Sequence, residues 1–297
     1  MLPILFEFYG YPVSSWHVFF CAAVLLSYLF FTKLCLVPFQ RSSESCSNRL
    51  SRARNILAFA LLYSSGLVGA RIVGELALSN ELMLSSLDPV GNMSFQGGVL
   101  GGLFGFLLLV KAGLLGQRTM GELLDAALPA LILGLAVGRL GCLLNGDDYG
   151  MVYGALASRG DVLSALAFLF PPVRHSGPGD LERYATQVQE SAASFALVGI
   201  AACWHALKQR QHPTTRLLPA GCVGLFLGML SCLNRFVNEF FRGDFRGHGL
   251  VSRFSLPQEI AVALGSVAAI AFAVLLFRYK AVAGRGDFKN AGETRNV

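Results

Sequence analysis

The chain has 297 residues, of which 54% are hydrophobic and 14% charged, and a net charge of +6. Soluble domains carry roughly 25% charged residues, so this composition excludes a disordered chain, a nucleic-acid-binding tail protein and an ordinary soluble enzyme, and no nucleic-acid partner is expected. The 33 glycines against two tryptophans suit helices that pack backbone to backbone in lipid.

A membrane helix needs about 20 mostly apolar residues. Seven stretches qualify in chain order: 16–36, 55–78, 95–113, 122–144, 190–207, 217–237 and 257–277. No Lys or Arg precedes the first, so it lacks the basic start of a cleaved signal peptide and reads as a permanent span. Lys33, Arg41, Arg49, Arg52 and Arg54 lie at the end of the first stretch and beyond it, Lys111 and Arg118 at and beyond the end of the third, and Lys208, Arg210 and Arg216 beyond the fifth; Arg278, Lys280, Arg285, Lys289 and Arg295 close the chain. These alternate segments hold fifteen of the 24 basic residues, which places them on the cytoplasmic side, with the N-terminus outside and the C-terminus inside. The expected fold is an all-α integral membrane protein with about seven transmembrane helices. It forms one polytopic membrane domain over 1–280, followed by a basic cytoplasmic tail over 281–297. A small external head with little regular structure is expected at about 145–189. The last outer segment, 238–256, is basic, with Arg242, Arg246 and Arg253, which points to lipid phosphate or a membrane-surface contact.

The seven cysteines form no CxxC pair and no His/Cys metal spacing, so no structural metal is expected. Arg71, Arg139 and Arg235 fall inside or at the outer ends of spans, where each costs about 2.5–3.5 kcal/mol near the bilayer centre; they must face a polar interior. Glu75, Asp125 and Glu239 accompany them, with Arg71/Glu75 and Arg235/Glu239 spaced i, i+4 on one helix face. Two readings stand: self-neutralising pairs that lock the bundle, or a cavity with an excess of donors suited to an anion, for which the arginine fork is a natural phosphate receptor. Gln96-Gly97-Gly98 opens the third span, for close helix packing or for a backbone that must approach a ligand. At 138–150 an apolar run beginning Gly138-Arg139 ends with Asn145, Asp147, Asp148, Tyr149 and Gly150, a convergence of polar groups at a helix end that packing alone does not explain.

That run, Gly138-Arg139-x-Gly141-x-x-x-Asn145-Gly146-Asp147-x-x-Gly150, resembles the GRxGNFxNGExxG signature of prolipoprotein diacylglyceryl transferases. Other segments resemble the family in the same order: Gly69-Ala70-Arg71, Met93-Ser94-Phe95-Gln96-Gly97-Gly98, Asp125, Tyr184-Ala185-Thr186-Gln187-Val188-Gln189-Glu190, Arg235-Phe236-Val237-Asn238-Glu239-Phe240-Phe241-Arg242 and Ser255-Leu256-Pro257. The resemblance implies transfer of a diacylglyceryl group from phosphatidylglycerol to the lipobox cysteine thiol of prolipoprotein signal peptides, in the bacterial inner membrane. It implies no metal or organic cofactor, and catalytic roles for Arg139, Arg235, Glu239 and Asp147. Headgroup contacts are implied for Arg139, Arg71, Gln96, Gly97, Gly98, Asn145, Gly150 and Gln187. Glu239 serves either as base for the incoming thiol or as the group that orients Arg235. The sequence departs from the pattern at Gln96, where the family has His, and at Cys142, where it has Asn. A glutamine cannot take a proton at neutral pH and a thiol is a poor substitute for an amide, so a phospholipid-binding relative with altered or lost catalysis is the alternative. A small-solute transporter would show matching halves with broken helices, and the halves of this chain do not match.

Overall fold

Each of the seven apolar stretches is mostly helical where it is described. The computed structural model describes residues 3–36, 47–79, 95–114, 119–155, 162–174, 179, 181–210, 218–244 and 254–293. The long helices are α1 (Ser15–Leu36), α2 (Ser47–Ser79), α3 (Phe95–Lys111), α4 (Met120–Asn145), α6 (Thr186–Arg210), α7 (Cys222–Glu239) and α8 (Leu256–Glu293), and the short α5 (Val162–Leu166) lies between α4 and α6. Among the described residues, five segments are long and apolar enough to cross a membrane: Ser15–Lys33, Ile56–Gly74, Met120–Asn145, Thr186–Leu207 and Leu256–Ala281. Gly97–Lys111 is apolar but shorter. The protein is mostly helical, with the spans of an integral membrane protein.

Two short antiparallel ladders depart from the all-α expectation. Strands β1 (Ile4–Phe8) and β2 (Tyr11–Ser14) form a hairpin with Phe8 opposite Tyr11. Its turn residues, Tyr9 and Gly10, have φ of 51° and 79°, the left-handed pair that a two-residue hairpin turn requires. Strands β3 (Pro172–Val173) and β4 (Arg183–Tyr184) pair in the segment expected to be largely irregular. An aromatic core gives that segment its structure. Phe170 stacks on Phe241 at 3.8 Å between centroids, and Tyr184 meets Phe241 edge to face; all three are buried.

Two compact units divide the chain, Met1–Cys35 with Gly121–Val297, and Leu36–Met120. In the second unit α2 lies backbone to backbone on α3. A Cβ at Gly69 would stand 2.7 Å from Gly101 Cα, one at Gly97 2.6 Å from Val73 Cβ, and one at Gly105 2.8 Å from Ser65 Cβ. No side chain fits there, which is how small residues let helices associate in lipid.

The first unit is built on α4, α6 and α7. Ile132, Leu197, Ala201, Val223 and Leu227 form its buried apolar centre. Ser191 Oγ donates to the Ala136 carbonyl at 2.8 Å, tying α6 to α4. Glycines let α4 reach its other neighbours: a Cβ at Gly224 would lie 2.7 Å from the Leu124 carbonyl carbon, and one at Gly141 2.7 Å from Phe19 Cβ of α1. Away from these contacts the helices present large apolar side chains, such as Leu25, Val267 and Ile270, which suit a hydrocarbon surroundings.

Asp125 does not join the arginines, contrary to the sequence expectation. Its two carboxylate oxygens accept the backbone N–H groups of Gly221 at 2.9 Å and Gly224 at 2.8 Å, capping the start of α7. It lies 14 residues before Arg139 on α4, about 21 Å away along the helix at 1.5 Å per residue.

Two measurements check this packing. Gly69→Ala is expected to lower the thermal midpoint in detergent, since overpacking a tight contact costs about 1–3 kcal/mol, whereas Gly199→Ala, where nothing lies within 4 Å, leaves the midpoint unchanged or raises it. Asp125→Ala removes a buried cap and is expected to cost about 1–2 kcal/mol, read in the same melts.

Candidate functional site

An arginine in an apolar helix needs an acid to face. Helix α4 carries Arg139 near its C-terminal end, α6 carries Glu190 in its second turn, and α7 carries Arg235 one turn before its end. The three meet. Glu190 Oε2 lies 2.8 Å from Arg139 Nε, and Arg235 Nη1 donates to both oxygens of Glu190 at 3.1 and 3.0 Å. One carboxylate thus serves two guanidinium groups, and all three residues are buried. Arg235 Nη2 also meets Glu239 Oε2 at 3.3 Å, the i, i+4 pair expected from spacing. The other oxygen of Glu239 accepts a hydrogen bond from Ser255 Oγ at 3.1 Å.

Polar side chains fasten the helices around this triad. Asn238 Nδ2 donates to the Thr186 carbonyl at 2.9 Å and to Gln189 Oε1 at 2.8 Å, and Gln189 Nε2 donates to Asn234 Oδ1 at 2.6 Å. These bonds fix the register of α6 on α7, and therefore of Glu190 on Arg235.

The turn after α4 supplies further carboxylates. Gly146 has φ of 87° and Asp148 of 58°, so the chain doubles back at the helix end. Asp148 reaches Arg139 Nη1 with one oxygen and Arg242 Nη2, at 2.6 Å, with the other. Arg242 is held from its far side by Asp244, with Nε to Oδ1 at 2.8 Å and Nη2 to Oδ2 at 2.7 Å. The turn is held from α6. Gln187 Nε2 donates to the Asp147 carbonyl at 2.7 Å, and Thr186 Oγ1 to the Asp148 carbonyl at 3.0 Å. Asn145 Nδ2 donates to Asp147 Oδ2 at 3.0 Å. Cys142 is buried beside these groups, with its sulfur 3.9 Å from Arg139 Nη1.

Gly150 marks a crossing of three chain segments. Met151 N bonds the Phe241 carbonyl at 2.8 Å, Tyr184 N the Met151 carbonyl at 3.0 Å, and Gly243 N the Tyr149 carbonyl at 3.0 Å. A Cβ at Gly150 would come within 2.9 Å of the Tyr184 carbonyl carbon, so only glycine lets these backbones meet.

Of the residues singled out in the sequence, Arg139, Arg235 and Glu239 converge in the first unit, and Asp147, Asn145, Gln187 and Gly150 build the adjoining turn. Arg71, Gly97 and Gly98 belong to the second unit, where Arg71 is half-buried on α2 and Gly97 is buried. The side chains of Glu75 and Gln96 lie outside the described residues, as do Arg246 and Arg253 entirely. One further expectation is corrected. Arg242 is not a membrane-surface contact: it is buried in ion pairs with Asp148 and Asp244. Among the described residues Arg139, Arg235 and Arg242 face Glu190, Glu239, Asp148 and Asp244. Sequence reasoning missed Glu190 as the centre, Asp148 as a bridge and Asn238 as a fastener. A carboxylate at the first position of an apolar stretch was the available signal for Glu190.

Residues 3–278 match the family model described as prolipoprotein diacylglyceryl transferase. The chain is 29% identical over 171 residues to phosphatidylglycerol–prolipoprotein diacylglyceryl transferase 2 of Clostridium perfringens, covering 58% of this chain and 56% of that protein. It is 31% identical over 152 residues to the phosphatidylglycerol–prolipoprotein diacylglyceryl transferase of Coxiella burnetii, covering 51% and 49%. It is 30% identical over 152 residues to that of Pseudomonas putida, covering 51% and 48%. The chain spans about half the length of the curated relatives it matches.

Glu190→Gln keeps the shape but removes the charge shared by two buried arginines. Breaking a buried pair in this way costs about 3–5 kcal/mol, so the thermal midpoint is expected to fall well below that of Glu182→Gln, which breaks an exposed pair with Arg174 and is expected to cost at most about 1 kcal/mol.

Proposed function

The chain belongs to the prolipoprotein diacylglyceryl transferase family, and on that premise we propose that it transfers the diacylglyceryl group of phosphatidylglycerol to the lipobox cysteine thiol of prolipoprotein signal peptides. The observation that carries the reading is the pair of buried arginines, Arg139 and Arg235, held rigidly by one carboxylate, Glu190, at one end of three packed helices.

The chemistry asks for such a device. The thiol sulfur attacks the glyceryl carbon that bears the phosphate ester, the C–O bond breaks, and glycerol 1-phosphate leaves. The phosphate goes from a monoanion to a dianion, and the thiol proton must go to a base. Cations preorganised in a water-poor site stabilise the charge that develops on the leaving group. Arg139 and Arg235 fill that role, and Glu190 holds both forks at fixed angles. Both oxygens of Glu239 are engaged, by Arg235 and by Ser255, which supports its orienting role over that of base. Asp147, on the half-buried turn after α4, is then the carboxylate that takes the thiol proton. Asn145 and Gln187 shape that turn, and Gly150 keeps its base closed. Arg71, Gln96, Gly97 and Gly98 enter as headgroup contacts by the family resemblance alone.

In this reading the chain crosses the bacterial inner membrane seven times, as a single membrane domain to residue 280. The N-terminus and the 145–189 head lie outside, and the basic tail 281–297 lies in the cytoplasm. The alternate placing of basic residues supports that orientation. Gln96 and Cys142 favour one competing reading, a phospholipid-binding relative that does not catalyse transfer.

The test uses purified protein, phosphatidylglycerol labelled in its acyl chains and a synthetic lipobox peptide. Label is expected on the peptide thiol. Loss of one preorganised donor costs about 10²–10³ in rate, so Arg139→Ala and Arg235→Ala are each expected to fall at least that far, and Asp147→Asn, which removes the proton acceptor, to fall about 10²–10⁴-fold. Bound phospholipid without label transfer would establish the non-catalytic reading instead.

A further inference from the structure

The geometry points to Asp148 as a resident counter-ion that occupies an anion subsite between Arg139 and Arg242, and that a phosphate ester must displace to bind. The inference rests on the transferase reading for the identity of the lipid, and on the ion-pair geometry for the subsite itself.

Four observations carry it. The two carboxylate oxygens of Asp148 are spread over two guanidinium groups from separate elements, one oxygen to Arg139 and one to Arg242. Two non-bridging phosphate oxygens make the same paired approach to arginine forks. Both arginines also keep another carboxylate without Asp148: Arg139 stays on Glu190 and Arg242 on Asp244. Displacing Asp148 therefore leaves two oriented donors, whereas displacing Glu190 would leave two buried cations unheld. Third, the Asp148 side chain is 19% exposed against 1% for Glu190 and 5% for Glu239. It rides on a turn whose backbone is left-handed at Gly146 and at Asp148 itself, so it is the member of the cluster with a path outward. Asp244 has similar exposure but chelates Arg242 from only two residues away.

The fourth observation is charge. With Asp148 in place, four carboxylates are ion-paired with three arginines among the described residues, with Asp147 on the same turn, and a further anion is repelled. With Asp148 swung out, a phosphodiester monoanion replaces the charge that Asp148 carried and leaves the total unchanged. Arg242 thereby becomes a third phosphate ligand beside Arg139. Position 148 is unspecified in the family signature quoted above, and the exchange sets how tightly this chain holds its anion.

Binding is measured apart from transfer, on the full-length protein in detergent, with three probes: phosphatidylglycerol in mixed micelles, glycerol 1-phosphate and inorganic phosphate. If Asp148 is off the arginines about a tenth of the time, removing its charge raises apparent affinity about tenfold. Asp148→Asn is therefore expected to bind glycerol 1-phosphate about tenfold more tightly than wild type and to lower KM for phosphatidylglycerol by a similar factor. A gain seen with phosphatidylglycerol alone assigns the subsite to the lipid headgroup, and a gain shared by all three probes assigns it to phosphate in general. Unchanged or weaker binding in an Asp148→Asn protein that melts with wild type overturns the inference. Should that variant not fold, Asp148→Ser decides by the same comparison. A wild type that transfers label while Asp148→Asn gains no affinity sinks this inference and leaves the proposed activity standing. A wild type that transfers nothing, with affinity gained in Asp148→Asn, does the reverse.

Discussion

One carboxylate, buried between two arginines, sets the architecture of the first unit. Taking an ion out of water costs several kcal/mol even after the protein relaxes, and the pair repays that only when the geometry leaves no charge unmet. Glu190 meets Arg139 through one oxygen and Arg235 through both, so α4 and α7 are each tied to α6 by a contact that tolerates little movement. The hydrogen bonds of Asn238, Gln189 and Ser191 all serve the same register. Each would be an ordinary polar contact elsewhere. Here each prevents a slip that would strand a guanidinium in hydrocarbon.

The proposed chemistry grows out of that constraint. A phosphate-binding site needs cations that do not collapse onto acids when the ligand arrives, and do not drift when it leaves. Sharing Glu190 gives Arg139 and Arg235 fixed directions, and Asp244 does the same for Arg242. The turn from Asn145 to Gly150 brings the remaining carboxylates to the half-buried edge of this frame. It is held there by Gln187 and Thr186 at the start of α6, so the same helix that supplies the central acid also places the turn.

How much of this was legible depended on whether the signal was local. Apolar runs are local, and each one is a helix. The cost of an intramembrane arginine is local, and it singled out Arg139 and Arg235. The i, i+4 spacing of Arg235 and Glu239 is local, and the pair is present. Glu190 was hidden because its partners are distant in sequence: Arg235 lies 45 residues on. It also stood at the edge of an expected span rather than inside one, since α6 begins at Thr186. Arg242 followed a helix end and resembled a loop cation, because nothing near it in sequence except Asp244 announces that it is buried. Asp125 shared its span with Arg139 and was grouped with it, although 14 residues of helix separate them. The β1–β2 hairpin escaped notice because its one marker, Tyr9-Gly10, is a weak turn signal.

The positions of the triad along their helices bear on how such a protein can be made. Arg139 sits six residues from the end of α4, Glu190 four residues into α6 and Arg235 four residues before the end of α7. At 1.5 Å per residue each is within about 9 Å of a helix terminus. During synthesis α4 reaches the membrane before α6 exists, and α6 before α7, so Arg139 must wait for Glu190 and Glu190 for Arg235. A charge in the last two turns of a helix can wait by reaching to the headgroup layer, whereas one at mid-bilayer cannot. The network can therefore be assembled in the order the ribosome delivers it, each charge parked at the interface until the next helix arrives to draw it inward.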